Sequence, residues 1–142
     1  MRIRNHELEN FILFLDQQLH LEGTDSRMRT RLKNLLLDRL KLFYEEKIEI
    51  GRTYSRLGEN GVPVMKQFDG QEVFDIEDET SAVLALNELL NEEFVVDLTE
   101  ERKQMLVSVK RSILTCSVKL NGKAADDYDR YCEIVEAIHY DG

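Results

Sequence analysis

Leu8, Phe11, Ile12, Phe14, Leu15 and Leu19 recur at three- and four-residue intervals, which puts one wide apolar face on a helix over 5–19. Asn5 stands where that helix wants an N-cap, and residues 2–4 before it read as extended. A longer stripe follows through Met28, Leu32, Leu36, Leu40, Phe43, Ile48 and Tyr54, widened by Leu35 and Tyr44. Asp25 or Ser26 can cap its start. No proline interrupts 26–57, so the spacing predicts a helix of about 30 residues and roughly 45–50 Å. Gly51 costs this helix about 1 kcal/mol relative to alanine and marks the place where it would kink.

The pattern changes over 57–76. Gly58 and the Asn60–Gly61 pair are turn chemistry, and Pro63 forbids helix. Two partly alternating apolar runs, 62–68 and 71–76, flank Asp69–Gly70, a pair suited to the positive φ of a tight hairpin turn. A third helix is predicted over 78–93, with Ala82, Leu86, Leu89 and Leu90 inward and acids in its first turn. Residues 94–98 form a short apolar run, read as a third strand beside the hairpin. Thr99 is placed to cap a fourth helix that buries Met105, Val109, Ile113 and Cys116. Asn121–Gly122 turns the chain into a fifth, over 123–138, using Tyr128, Tyr131, Ile134, Val135 and Ile138. The predicted fold is mainly α: about five helices, one very long, with a small β-hairpin and up to three short strands. With no linker and no repeat, 1–142 reads as one helical domain carrying a hairpin insertion at about 62–76.

Composition narrows the function. One proline and seven glycines in 142 residues suit helix, and 33% charged residues imply a densely charged surface. The net charge of −9 is uneven: residues 1–44 carry 8 Lys/Arg against 6 Asp/Glu, for +2, and the remainder 11 against 22, for −11. An acidic body repels phosphate backbones, so no direct nucleic-acid contact is expected. Residues 1–10 hold four charged side chains and the ionisable His6, with no signal-like apolar core, and no apolar run approaches a bilayer span, so a cytoplasmic location without membrane contact is expected. Cys116 and Cys132 read as reduced, packed thiols, with a single disulfide between them as the alternative.

Recognisable chemistry is missing. No CxxC, HExxH or EF-hand spacing joins His6, His20 and His139, and neither a nucleophile elbow nor a glycine-rich phosphate loop occurs. Glu45, Glu46 and Glu49 set two carboxylates on one helical side without the Glu-x-x-His of a di-metal centre, so they read as a solvated face. No cofactor, no metal and no enzymatic activity are expected. The basic group Arg27, Arg29, Arg31 and Lys33 opens the long helix of an acidic protein. At about 100° per residue Arg27 and Arg31 share one side, and Arg29 and Lys33 lie nearly opposite. Cations at a helix start oppose the macrodipole, so something must offset them. Pairing with the acidic C-terminal half is the expected use, a docking surface for an acidic partner is the alternative, and DNA contact comes last because no helix-turn-helix pattern accompanies the group. Arg27, Arg29, Arg31, Lys33, Glu45, Glu46 and Glu49 are the candidate interaction residues.

Six quoted stretches together carry a resemblance: MRIRNHELENFILFL (1–15), SRMRTRLKNLL (26–36), LGENGVPV (57–64) with FDGQEVFDI (68–76), LLNEEFVVD (89–97) and LNGKAADDYDRYCEIVEAI (120–138). In this order and length the chain resembles the domain-of-unknown-function 1617 family, small proteins of phages and prophages of Gram-positive bacteria. The resemblance implies origin more than mechanism, because the family brings no assigned activity and no catalytic residues. It implies a phage-encoded protein in the host cytoplasm, with a phage or host protein as partner. The expected function is a non-enzymatic protein-interaction module, an accessory to virion assembly. The alternative is an acidic host-takeover or anti-defence inhibitor that occupies a basic groove of a host protein. The 26–31 and 124–128 stretches are candidate shared surfaces or helix-packing points. A homodimer would cover apolar residues near Ile48 and Tyr54 if the long helix exceeds its core.

Overall fold

The computed structural model describes residues 1–141. The chain is mainly α with a little β. In order it forms β1 (Arg2–Arg4), a 3-10 turn (Asn5–Glu7), α1 (Leu8–Gln17), α2 (Gly23–Thr53), β2 (Met65–Phe68) and β3 (Gln71–Phe74). Then come α3 (Glu79–Asn91), β4 (Glu93–Val95), α4 (Lys103–Leu114) and α5 (Gly122–Glu136). Contacts gather in two compact units: Met1–Leu40 with the residues from Glu93 onward, and Lys41–Glu92. The hairpin belongs to the second unit, together with the end of α2 and α3.

The long helix runs 31 residues without a break. It starts earlier than expected, at Gly23, so Asp25 lies inside its first turn rather than capping it. It stays helical through Gly51. The reason for a glycine there is packing: a Cβ at position 51 would meet Cδ2 of the Phe74 ring at 2.6 Å. Glycine lets the hairpin ring lie against the helix backbone.

The first unit has the molecule's dense core. Fully buried Ile3, Leu8, Phe11, Leu15, Leu32, Leu36, Leu106, Val109, Ile113 and Val135 join β1, α1, the first part of α2, α4 and α5. The Tyr131 ring lies 5.1 Å from that of Phe11 and 4.9 Å from that of Phe14, centroid to centroid, tying α5 to α1. Tyr128 closes the same seam by donating its hydroxyl to the Ile113 carbonyl at 2.6 Å. Burial, then the bond with Cys132, pushes the Tyr128 phenol up to about 12, and burial does the same for Tyr131.

Three local expectations are corrected here. The run after α3 does not join the hairpin: β4 pairs antiparallel with β1, Ile3 opposite Phe94, so its partner comes from the far end of the sequence. Asn5 is not the cap of α1. It is buried and accepts from Arg39 Nε at 3.2 Å, while Glu7 accepts from the Arg4 N–H. Thr99 accepts from the Arg102 N–H at 3.3 Å, so it caps the turn ahead of α4 rather than the helix itself.

In the second unit β2 and β3 form the expected antiparallel hairpin, with Asp69 at φ 52 and Gly70 at φ 77 in the turn. The base of the hairpin is held by a closed ring of main-chain bonds. The Val64 N–H donates to the Arg56 carbonyl, the Arg56 N–H to Asp75, and the Asp75 N–H back to Val64, at 2.7–2.9 Å. The Arg56 guanidinium adds ion pairs to Asp75 and Glu77. Asp78 caps α3, accepting from the N–H and hydroxyl of Ser81. Of the apolar residues in this unit, only Phe43 and Leu89 are buried. Polar contacts, more than a core, hold it together.

Candidate interaction surface

The basic group at the start of α2 divides in two. Arg29 donates to the carbonyls of Leu15 at 3.1 Å and Leu19 at 2.6 Å, and to the Ser26 hydroxyl. The Leu15 carbonyl belongs to the last turn of α1 and that of Leu19 lies just beyond it, so Arg29 is a cation at the negative end of a neighbouring helix. Lys33 pairs with Asp16 of α1 at 2.9 Å. The offset these cations needed therefore comes from α1 and not from the acidic C-terminal half. Arg27 and Arg31 are exposed and make no ion pair among the described residues.

Traffic runs the other way between acids of the N-terminal stretch and bases of the C-terminal half. Asp25 accepts from the Ser108 hydroxyl at 2.7 Å and from Arg111 at 2.5 Å. The Ser108 bond first, then Arg111, holds its carboxyl below the ordinary value. Glu7 accepts from both Nε and Nη2 of Arg130; burial would raise its pKa, but Arg130 and the Arg4 N–H together hold it below the ordinary value. Two grooves flank α4, of about 550 and 590 Å³, sharing Lys103, Val107 and Arg111. Their cationic groups are already engaged: Arg111 with Asp25, Lys110 with the Ile138 carbonyl, and Lys103 over the Tyr140 ring.

Glu45, Glu46 and Glu49 fall in the second unit, and Arg27, Arg29, Arg31 and Lys33 in the first. Glu49 pairs with Arg52 at 2.8 Å, and Glu45 is exposed. No group of three or more His, Cys, Asp or Glu that could hold a metal occurs among the described residues. Burial pushes the Cys132 thiol up, which keeps it protonated and poorly nucleophilic. No helix among the described residues is long and apolar enough to cross a membrane.

What sequence reasoning missed is how shallow the second unit is. Nine of the fifteen exposed large apolar side chains lie in Lys41–Glu92: Leu42, Tyr44, Ile48, Leu57, Val62, Met65, Phe68, Val83 and Leu84. Phe68 at the hairpin tip is 68% exposed and Leu57 and Leu84 are each 60%. Tyr54, also expected at an uncovered end, is half-buried instead. The same unit holds 5 Lys/Arg against 12 Asp/Glu, a net of −7, and the rest of the chain 14 against 16, or −2, recovering the total of −9. Exposed apolar groups and unbalanced negative charge thus coincide in one third of the molecule. The charge was countable in the sequence; the exposure was not, since α3 has an ordinary helical apolar spacing.

No family model, no curated protein and no solved structure matches this chain.

Proposed function

We propose that the chain is a non-enzymatic protein-interaction module of phage or prophage origin, and that residues 41–92 carry the interaction. One observation supports the reading above all. This unit leaves nine large apolar side chains open while burying only two, and exposed apolar clusters on a small domain are characteristic of binding surfaces. The first unit, with its closed core, serves as the scaffold that presents it. The origin rests on the resemblance of the 26–36, 57–76 and 120–138 segments to the domain-of-unknown-function 1617 family. The partner is a phage or host protein in the host cytoplasm, and an accessory role in virion assembly is the favoured setting.

Affinity purification of the tagged chain from infected cells tests this. Phage morphogenesis proteins should be retained by the native chain and lost with a Phe68→Ser, Leu84→Ser double variant of unchanged fold. Retention by both alike, or by neither, contradicts the reading. Recovery of host proteins alone favours a second setting, occupation of a basic groove on a host factor, for which the net −7 of 41–92 is the supporting observation.

A further inference from the structure

The hairpin turn is two residues, Asp69 and Gly70, both at positive φ, so it closes on Phe68 and Gln71 as a hydrogen-bonded pair. Pairing then alternates: Lys66 with Val73 is bonded, and Gln67 with Glu72 and Met65 with Phe74 are not. At the unbonded positions the N–H and C=O groups of β2 point away from β3. Neither Met65 nor Gln67 has a further hydrogen bond among the described residues. All four residues of β2 are exposed, whereas Val73 and Phe74 of β3 are half-buried. Both edges of this two-stranded sheet lack a further strand, and the more exposed of the two is that of β2. Pro63, which has no N–H, ends it on one side and the turn ends it on the other.

Natural edges of this kind are guarded by charge, bulges or cover. The one cation on this edge, Lys66, is drawn to Asp75 at 3.7 Å. Its two faces differ. One carries Met65 and Gln67 with Phe74 and Glu72 opposite them, and the Glu72 carboxylate, next to the turn, makes no ion pair among the described residues; the other carries Lys66 and the open Phe68 ring with Val73 and Gln71 opposite them. Asp69 and Glu59, both exposed and without an ion pair, add to the negative field.

We infer that β2 accepts an extended cationic segment of a partner protein by strand addition. The occupant alternates: apolar side chains lie along the Phe68 face, and Lys or Arg side chains along the Gln67–Glu72 face. Main-chain bonds to Met65 and Gln67 supply the docking, and the face pattern supplies the choice of segment. A second copy is disfavoured as occupant because each copy brings a unit of net charge −7. This inference rests on the proposed function and specifies its mode.

The test uses the full chain and a soluble peptide of alternating Val and Lys, with the Val–Glu peptide as control. Amide exchange at Met65 and Gln67 should slow by about tenfold or more at saturating Val–Lys peptide, with no effect of Val–Glu. Gln67→Pro removes an outward N–H that the hairpin itself does not use, so it should weaken binding about tenfold while amide spectra outside 62–76 stay unchanged. Glu72→Lys leaves that edge intact and should weaken binding and flatten its salt dependence. Binding of Val–Lys without protection of Met65 and Gln67, equal binding of Val–Glu, or protection caused by self-association in the absence of peptide overturns the inference. Should Gln67→Pro leave capture of phage proteins from infected cells intact, strand addition fails while the interaction reading survives. Loss of all capture by the native chain removes both.

Discussion

The two units draw on one chain of ordinary apolar content and spend it differently. In the first, twenty buried apolar side chains, sixteen of them from β1, α1, α2, α4 and α5, join in one cluster, and no ring or aliphatic group at its centre touches water. In the second, the apolar residues of α2, the hairpin and α3 other than Phe43 and Leu89 sit at half depth or outside, and a ring of main-chain bonds around Arg56 holds the hairpin base. Local stability follows buried apolar contact, so the first unit should behave as the rigid body and the second as the part that opens. That is the division expected of a scaffold and a binding surface. Hydrophobic periodicity is present in both and separates neither.

Core truncation should expose the contrast most strongly. Phe11→Ala, at a fully buried ring, is expected to cost about 3–5 kcal/mol in denaturant unfolding. Leu84→Ala, at a side chain 60% exposed in α3, should stay within about 0.5 kcal/mol. Comparable losses from the two would erase the distinction between the units.

Backbone contact gives the second unit its own sensitive point. Gly51→Val forces a side chain into the place of the Phe74 ring, and overpacking of this kind costs about 1–3 kcal/mol. The loss should appear as altered hairpin amide signals with the resonances of α4 and α5 unmoved. A general loss of dispersion would show instead that the ring contact supports the whole molecule.

The basic group offers a finer comparison inside the first unit. Arg29→Gln removes charge-assisted bonds to the end of α1 and should cost about 1–2 kcal/mol by thermal or denaturant unfolding. Arg27→Gln, two residues away and unpaired, should change stability by less than about 0.5 kcal/mol. Equal effects would mean that charge, not the cap, is what α2 needs there.

Alkaline pH acts on the first unit through Tyr128 and Tyr131. Each is held neutral in the folded state, with its pKa raised from 10.0 to about 12. Their contribution is fully present below pH 10.0 and is lost as pH rises from there through about 12, because the unfolded chain ionises first. Phenolate absorbance that develops together with unfolding is the expected signature. Ionisation of both rings near pH 10.0 without unfolding would place them in water.

Much of the fold was legible because it is local. The Met28–Tyr54 stripe specifies the long helix, and Asp69–Gly70 specifies the hairpin turn through positive φ alone. Partners distant in sequence were not legible. Phe94 finds Ile3, Asp25 finds Ser108 and Arg111, and Arg29 finds carbonyls of α1, none of which a residue spacing announces. Depth was hidden as well. Leu86 and Leu90 in α3 follow the same period as Val109 and Ile113 in α4, yet the first pair stays half-buried and the second is covered. Of the seven residues first singled out for docking, Arg29 and Lys33 turn out to hold α1. The surface supported in their place is the hairpin and α3, where exposure appears only in three dimensions.

Native-state hydrogen exchange across a denaturant series tests the division most directly. Amides of β2, β3 and α3 are expected to exchange through openings at least about 2 kcal/mol smaller than those of α1, α4 and α5, which should merge at the global unfolding free energy. One common opening free energy for both sets would contradict it, since the second unit would then share the stability of the core and have no reason to leave its apolar groups for a partner.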